Sequence, residues 1–152
     1  MYLKFRHIVV YLTLLILFVG CKKTFNSQTL IEEHFKLLNQ HNAKELVKQY
    51  NAKCFMNPVS AHGMANTHRW VLKAFTDLFQ LSPDVKYEII SIAKNDSTVF
   101  VEYNISSTHD YKNFKNVFYR YRNCSVFKIK NERISEEITF SDKDVYALFE
   151  ND

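Results

Sequence analysis

The stretch RNCSVFKIKNERISEEITFSD, Arg122 to Asp142, reads as two strands joined by a tight turn. The first strand reaches back to about Lys115 and ends at Lys130. Asn131-Glu132 makes the turn, and the second strand runs from Arg133 to Phe140. Alternation gives that last strand two faces: Ile134, Glu136, Ile138 and Phe140 share one, and Ser135, Glu137 and Thr139 the other. The first set is the more apolar and is predicted to face the core. It carries a carboxylate with it, and an isolated buried charge is costly. Glu136 must therefore meet polar groups such as Tyr103 or Asn123 in a cavity, be turned outward by a bulge, or reach water near the strand edge. In the first case desolvation raises its pKa and makes it a proton-transfer candidate. Beyond the strand, Ser141 and Asp144 have the spacing of a cap for a C-terminal helix carrying Val145, Leu148 and Phe149.

Upstream, VKYEIISIAK (Val85–Lys94) and TVFVEYNISS (Thr98–Ser107) flank the turn residues Asn95–Ser97. Val99, Val101, Tyr103 and Ile105 share one face there, with Glu102 and Asn104 on the other. A loop is predicted from His109 to Asn113. The preceding half has helical periods instead. Thr29 with Glu32 has capping-box spacing, and Ile31, Phe35 and Leu38 follow on one face. Asn42 with Glu45 caps a second, short helix with Leu46, Val47 and Tyr50 inward. CFMNP (Cys54–Pro58) is a brief strand. After a loop around Gly63, Trp70, Val71, Ala74, Phe75, Leu78 and Phe79 form the apolar face of a third helix, and Ser82-Pro83-Asp84 ends it. Trp70 and Phe75 are expected to be buried. Helices followed by a strand meander predict an α+β fold with helices on one face of a mostly antiparallel sheet.

The N-terminal segment is of another kind. Lys4 and Arg6 precede a run from Ile8 to Gly20 that is shorter than the roughly 20 residues of a spanning helix. Phe18-Val19-Gly20-Cys21 resembles the lipobox of bacterial lipoproteins, which implies cleavage before Cys21 and its acylation; two acyl chains anchor stably. The expected organisation is a signal peptide over 1–20, a lipidated tether over 21–28 and one domain over 29–152. The corresponding location is the bacterial cell envelope, anchored to the outer membrane and facing the periplasm. Loss of residues 1–20 takes the formal charge from +4 to +2, which gives no reason to expect nucleic acid.

HFKLLNQHNAKELVKQY (His34–Tyr50) resembles the opening of SnoaL-like domains, a branch of the nuclear transport factor 2-like superfamily. The Arg122–Asp142 stretch resembles their final hairpin. Glu132 stands where the family has a turn glycine, although Asn131 can take the left-handed conformation there, and Gly63 alone remains of a glycine-rich approach to the third helix. The resemblance implies a curved sheet wrapped around three N-terminal helices, a cone-shaped, cystatin-like α+β roll with a pocket. It also implies that Asp142 matches the acid–base aspartate of the family's polyketide cyclases; by spacing alone, Asp142 caps the C-terminal helix beside Ser141.

Trp70, Tyr103, Tyr119, Tyr121 and Asn123 are candidates to line the cone, or plain core, and His109 lies at its expected mouth. Cys54 and Cys124 could form a disulfide in an oxidising compartment or stay as two buried thiols. Arg120, Arg122, Lys128 and Lys130 share one parity, as a docking stripe or a solvated outer face. His34, His41, His62 and His68 show no close metal-ligand spacing, and no cofactor is implied. Three functions fit: a lipid-anchored accessory module binding a small, largely apolar ligand; a cofactor-free cyclase, isomerase or dehydratase using carboxylate acid–base catalysis; or an interaction module, such as a homodimer, using the sheet face. The first is favoured because no acid and base pair can be named. Two or more polar groups converging in a pocket would favour the second, and an apolar patch on the outer sheet face the third.

Overall fold

A computed structural model describes residues 25–58, 66–111 and 114–141. Helices α1 (Ser27–Asn39) and α2 (Ala43–Lys48) lead into strands β1 (Tyr50–Pro58) and β2 (Asn66–Thr67). Helix α3 (His68–Leu81) follows, and then the meander β3 (Lys86–Asn95), β4 (Thr98–Tyr111), β5 (Phe114–Lys130) and β6 (Arg133–Ser141). The six strands form one sheet in the order β2-β1-β6-β5-β4-β3. Only β1 and β6 run parallel. The architecture is the expected α+β one, with a curved, mostly antiparallel sheet and the helices against its inner face. No helix among the described residues is long and apolar enough to cross a membrane.

Local chemistry sets the boundaries. Helix α1 starts earlier than the Thr29–Glu32 spacing predicts, because the Asn26 side chain accepts from Gln28 N–H at 3.0 Å and caps the helix itself. Asn42 caps α2 as expected, accepting from Glu45 N–H at 3.2 Å. Between these helices His41 is left-handed (φ 52°). Its ring stacks on Phe79 at 4.7 Å and its Nε2 hydrogen-bonds the Val85 carbonyl at 3.0 Å, so tertiary contacts hold a conformation that glycine would adopt more easily. At the β5–β6 turn both Asn131 (φ 53°) and Glu132 (φ 60°) are left-handed, which is the backbone of a type I′ hairpin.

The core is built from Ile31, Phe35, Leu46, Tyr50, Val71, Phe75, Val99, Val101, Phe127 and Ile134. Phe75 is buried as expected, but Trp70 is 45 % exposed. Helix α3 begins at His68, with Thr67 as its cap, and the face turned to the sheet is carried by Val71, Phe75 and Leu78. Trp70 sits beside that stripe in the first turn. His109 also departs from expectation: β4 continues to Tyr111, so His109 is a strand residue opposite Val117 rather than a loop residue.

Two bulges decide what faces inward. In the β3–β4 pairing the register slips at Ile90. In the β5–β6 pairing Ile134 lies opposite Ile129, but Glu136 lies opposite Lys128, which leaves Ser135 as the extra residue. The Ser135 hydroxyl donates to the Lys128 carbonyl at 2.9 Å across the bulge. Alternation therefore reverses after Ile134. Glu136 turns outward to pair with Lys128 at 2.8 Å, and Glu137 and Thr139 turn inward.

Candidate functional site

The inner faces of the sheet, chiefly β4, β5 and β6, together with α1 and α3 line a partly open cavity of about 240 Å³. Its walls are mainly apolar: Phe35, Leu38, Phe75, Leu78, Val85, Ile105 and Phe127. Of the expected lining residues it contains Tyr103, Tyr121 and Asn123. Tyr119 shares their parity on β5 and is half-buried without lining it. Trp70 is outside it.

Glu137 is the carboxylate of this cavity. The Tyr50 hydroxyl, at the start of β1, donates to Glu137 Oε2. Burial raises the Glu137 pKa from 4.5 to about 7, the hydrogen bond from Tyr50 pulls it part of the way back, and no cation among the described residues offsets it. Burial first, and then the charge of Glu137, push the Tyr50 phenol well above its ordinary value, so it stays a donor. Of the fates open to Glu136 the bulge that turns it outward is the one that occurs, and the pocket position passes to the next residue. The bulge at Ser135 gives the inward position to its neighbour, and Glu136 belongs to the outer face.

A second polar group crosses the sheet. The Tyr103 hydroxyl is 2.9 Å from Ser125 Oγ, which is 2.7 Å from Thr139 Oγ1. The Asn123 side chain lies beside Tyr103 and pulls its pKa down somewhat. Burial keeps the Tyr103 phenol raised and protonated despite these hydrogen bonds. Register explains the convergence, since Tyr103 lies opposite Asn123, and Ser125 opposite Thr139.

Behind the cavity His34 is wholly buried among Tyr50, Phe75 and Phe127 at ring-centroid distances of 5.7, 6.1 and 5.5 Å. Its Nδ1 hydrogen-bonds Gln49 Oε1 at 2.8 Å, and burial lowers its pKa to about 4, so the ring is neutral. Tyr50, His34, Ser125, Thr139 and Glu137 were not read as site residues from the sequence. The one signal was the Glu136-Glu137 pair, of which a regular strand can send only one member inward.

Cys54 is buried on the inner face and Cys124 is exposed on the outer one, so no disulfide joins them. Three residues of the basic stripe are paired across the outer face: Arg120 with Glu88 of β3 at 2.5 Å, Arg122 with Glu102 of β4 at 3.3 Å, and Lys128 with Glu136 of β6. No group of His, Cys, Asp and Glu able to hold a metal occurs among the described residues. Cys21 and Asp142 lie outside the described residues, as does the expected C-terminal helix.

No curated protein matches the chain by sequence. Several solved structures share the fold. A proposed polyketide cyclase from Acidithiobacillus ferrooxidans superposes with a TM-score of 0.70 at 14% identity, covering 84% of this chain and 96% of that one. SalBIII, an epoxide hydrolase/cyclase-like enzyme of pyran ring formation in the polyether salinomycin, gives 0.68 at 14% identity, with 78% and 92% covered. An NTF2-like protein of unknown function from Cytophaga hutchinsonii gives 0.62 at 17% identity, with 85% and 99% covered. At these identities the likeness is one of fold. The family model of the SnoaL-like domain matches residues 31–137, from the core of α1 to the cavity carboxylate, and the chain belongs to that family.

Proposed function

We propose that the domain binds a small, largely apolar molecule in the cavity and that Glu137 exchanges a proton with it. The observation that carries this reading is a carboxyl with a pKa of about 7 in an apolar cavity. Near neutral pH such a group is present in both forms, so it can take a proton and return it without a cofactor. As carboxylate it would remove a proton from a carbon beside a carbonyl, the electron pair moving onto the carbonyl oxygen. As carboxylic acid it would return the proton elsewhere, which amounts to isomerisation. Tyr50 holds the carboxyl in place, and the linked hydroxyls of Tyr103, Ser125 and Thr139 leave one neutral donor for a ligand oxygen. Solved structures of the same fold that are cyclase-like by name are compatible with this chemistry.

The test is to titrate the Glu137 carboxyl carbon by NMR and to search by mass spectrometry for small molecules that copurify with the wild type and with Glu137→Gln. Titration near pH 7 with a retained molecule supports the reading. A midpoint near 4.5 with nothing retained overturns it.

The lipid anchor at Cys21 is proposed on the sequence alone, and with it the envelope location. Cys21→Ser should release or stall the protein, and an unmodified wild-type N-terminus would refute the anchor. A self-association reading has its own support. On the outer face Ala93, Phe100, Val126 and Ile138 are aligned across four strands, with Phe140 beside them. Phe100 and Phe140 are 41 % and 51 % exposed. Sedimentation of the wild type and Phe100→Glu tests it, since a monomer in both removes the dimer.

A further inference from the structure

Glu137 is the only acidic or basic side chain among the described residues that line the cavity. It is half-buried rather than sealed off, and Tyr50 is its one hydrogen-bond partner among the described residues. The groups packed around it bring no cation. Tyr50 and Cys54 on β1, Tyr87 on β3 and Tyr103 on β4 are held protonated and neutral by burial. On β5 Phe127 lies opposite Glu137, and Lys128 is turned to the outer face, where it pairs with Glu136. Helix α3 presents Phe75 and Leu78. His34 on α1 is neutral, its pKa lowered to about 4 by burial.

The wall beside the carboxyl is aromatic. The Phe127 ring is 6.2 Å from Phe35, Phe35 is 4.8 Å from Tyr103, and Tyr103 is 6.2 Å from Tyr87. All four rings line the cavity, so they form one continuous surface that starts at the register partner of Glu137.

A carboxyl so placed avoids an unpaired charge in one of two ways: it keeps its proton, or a cation joins it. The cation must tolerate apolar walls. A metal ion needs several oxygen or nitrogen ligands, and Glu137 supplies one carboxyl. An alkylammonium ion meets the conditions. Its N–H groups donate to the carboxylate, its hydrocarbon part covers the rings, and aromatic rings attract a cation through their faces. An anion would be repelled by Glu137 and would find no Arg or Lys among the described lining residues.

Given that the cavity is a ligand site, we propose that it takes a small apolar amine, bound as the ammonium ion with its nitrogen on Glu137 and its hydrocarbon part against the aromatic wall. This adds the charge of the ligand to the proton-exchange reading, which leaves it open.

The test compares cyclohexylamine, cyclohexanol and cyclohexanecarboxylate, and then benzylamine, benzyl alcohol and benzoate, on the purified full-length protein at pH 8. There Glu137 is mostly carboxylate, and the amines, with pKa values of roughly 9–10, near that of lysine, are ammonium ions. Calorimetry reads affinity, and NMR shifts of Tyr103 and Phe127 read the place of binding. In at least one set the amine binds about tenfold tighter than the alcohol, and the carboxylate shows no binding. From pH 8 to pH 6 the amine affinity falls about tenfold as Glu137 takes up its proton, and the alcohol affinity does not fall. In Glu137→Gln the amine loses both its preference and its pH dependence. An alcohol that binds as well as the amine, a bound carboxylate, an amine preference that survives in Glu137→Gln, or no amine binding at all overturns the assignment. The wild-type ranking and pH profile stand even if the variant does not fold. If the alcohols bind in the cavity, the amines do not and Glu137 titrates near 7, the ammonium assignment falls and the proton-exchange reading stands. If no probe binds and Glu137 titrates near 4.5, the ligand site itself falls.

Discussion

Glu136 and Glu137 are adjacent in the chain and occupy opposite sides of the sheet. On the outer side Glu136 pairs with Lys128, and two more ion pairs link β5 to β4 and, across it, to β3. On the inner side Glu137 has a phenol for a partner, apolar walls and a raised pKa. The same functional group is a paired surface charge in one place and a buried carboxyl with a raised pKa in the other. The environment makes the difference, and one bulged residue, Ser135, decides which glutamate receives which environment.

The contrast of faces is sharpest on β5. Phe127 is 1 % exposed on the inner face and Phe118 is 65 % exposed on the outer one. Phe127→Ala should cost about 3–5 kcal/mol, and Phe118→Ala within about 0.5 kcal/mol. Chemical denaturation of both measures the gap, and similar losses would mean that the faces are wrongly assigned.

The next effect is in pH. Folded Glu137 keeps its proton up to about pH 7, whereas the unfolded chain releases it near 4.5, so its contribution to stability falls as pH rises between those values. His34 acts in the opposite sense. The unfolded chain takes up its proton near 6.5 and the folded one only near 4, so stability is lost as pH falls through that range. Each is at most about 3 kcal/mol, and where the windows overlap they cancel. Glu137→Gln should therefore expose a stability that rises with pH from about 4 to 6.5, and His34→Phe one that falls from about 4.5 to 7. Two unchanged, flat profiles would show that neither group is shifted.

Trp70→Ala should cost no more than about 1 kcal/mol, with a tryptophan open to iodide quenching because it is 45 % exposed. A loss of several kcal/mol would return Trp70 to the core. Smallest of all, Glu136→Gln should change stability by under about 1 kcal/mol, and 1 M salt should remove the effect. A larger, salt-independent loss would move Glu136 to the inner face.

Much of the architecture was legible in the chain. Period 3.6 in α1 and α3, period 2 in β4 and β5, and the Asn131-Glu132 turn each follow from local sterics and a single buried face. The candidate site was legible only in part. Tyr103, Tyr121 and Asn123 came from regular alternation on regular strands, and alternation held there. It failed at β6 because a bulge is a property of a pair of strands: Ser135 is surplus only when Lys128 and Ile129 are set opposite it.

The sequence by itself determined the element order, the α+β class and the strands whose inner faces meet the helices, because those depend on spacing along one chain. Tertiary structure alone decided that Glu137 lies inside, that Tyr50 from β1 caps it, and that Tyr103, Ser125 and Thr139 from three strands share one run of hydroxyls. Those contacts join residues 87 positions apart in one case, and a pKa is set by everything around the group, which no local pattern records.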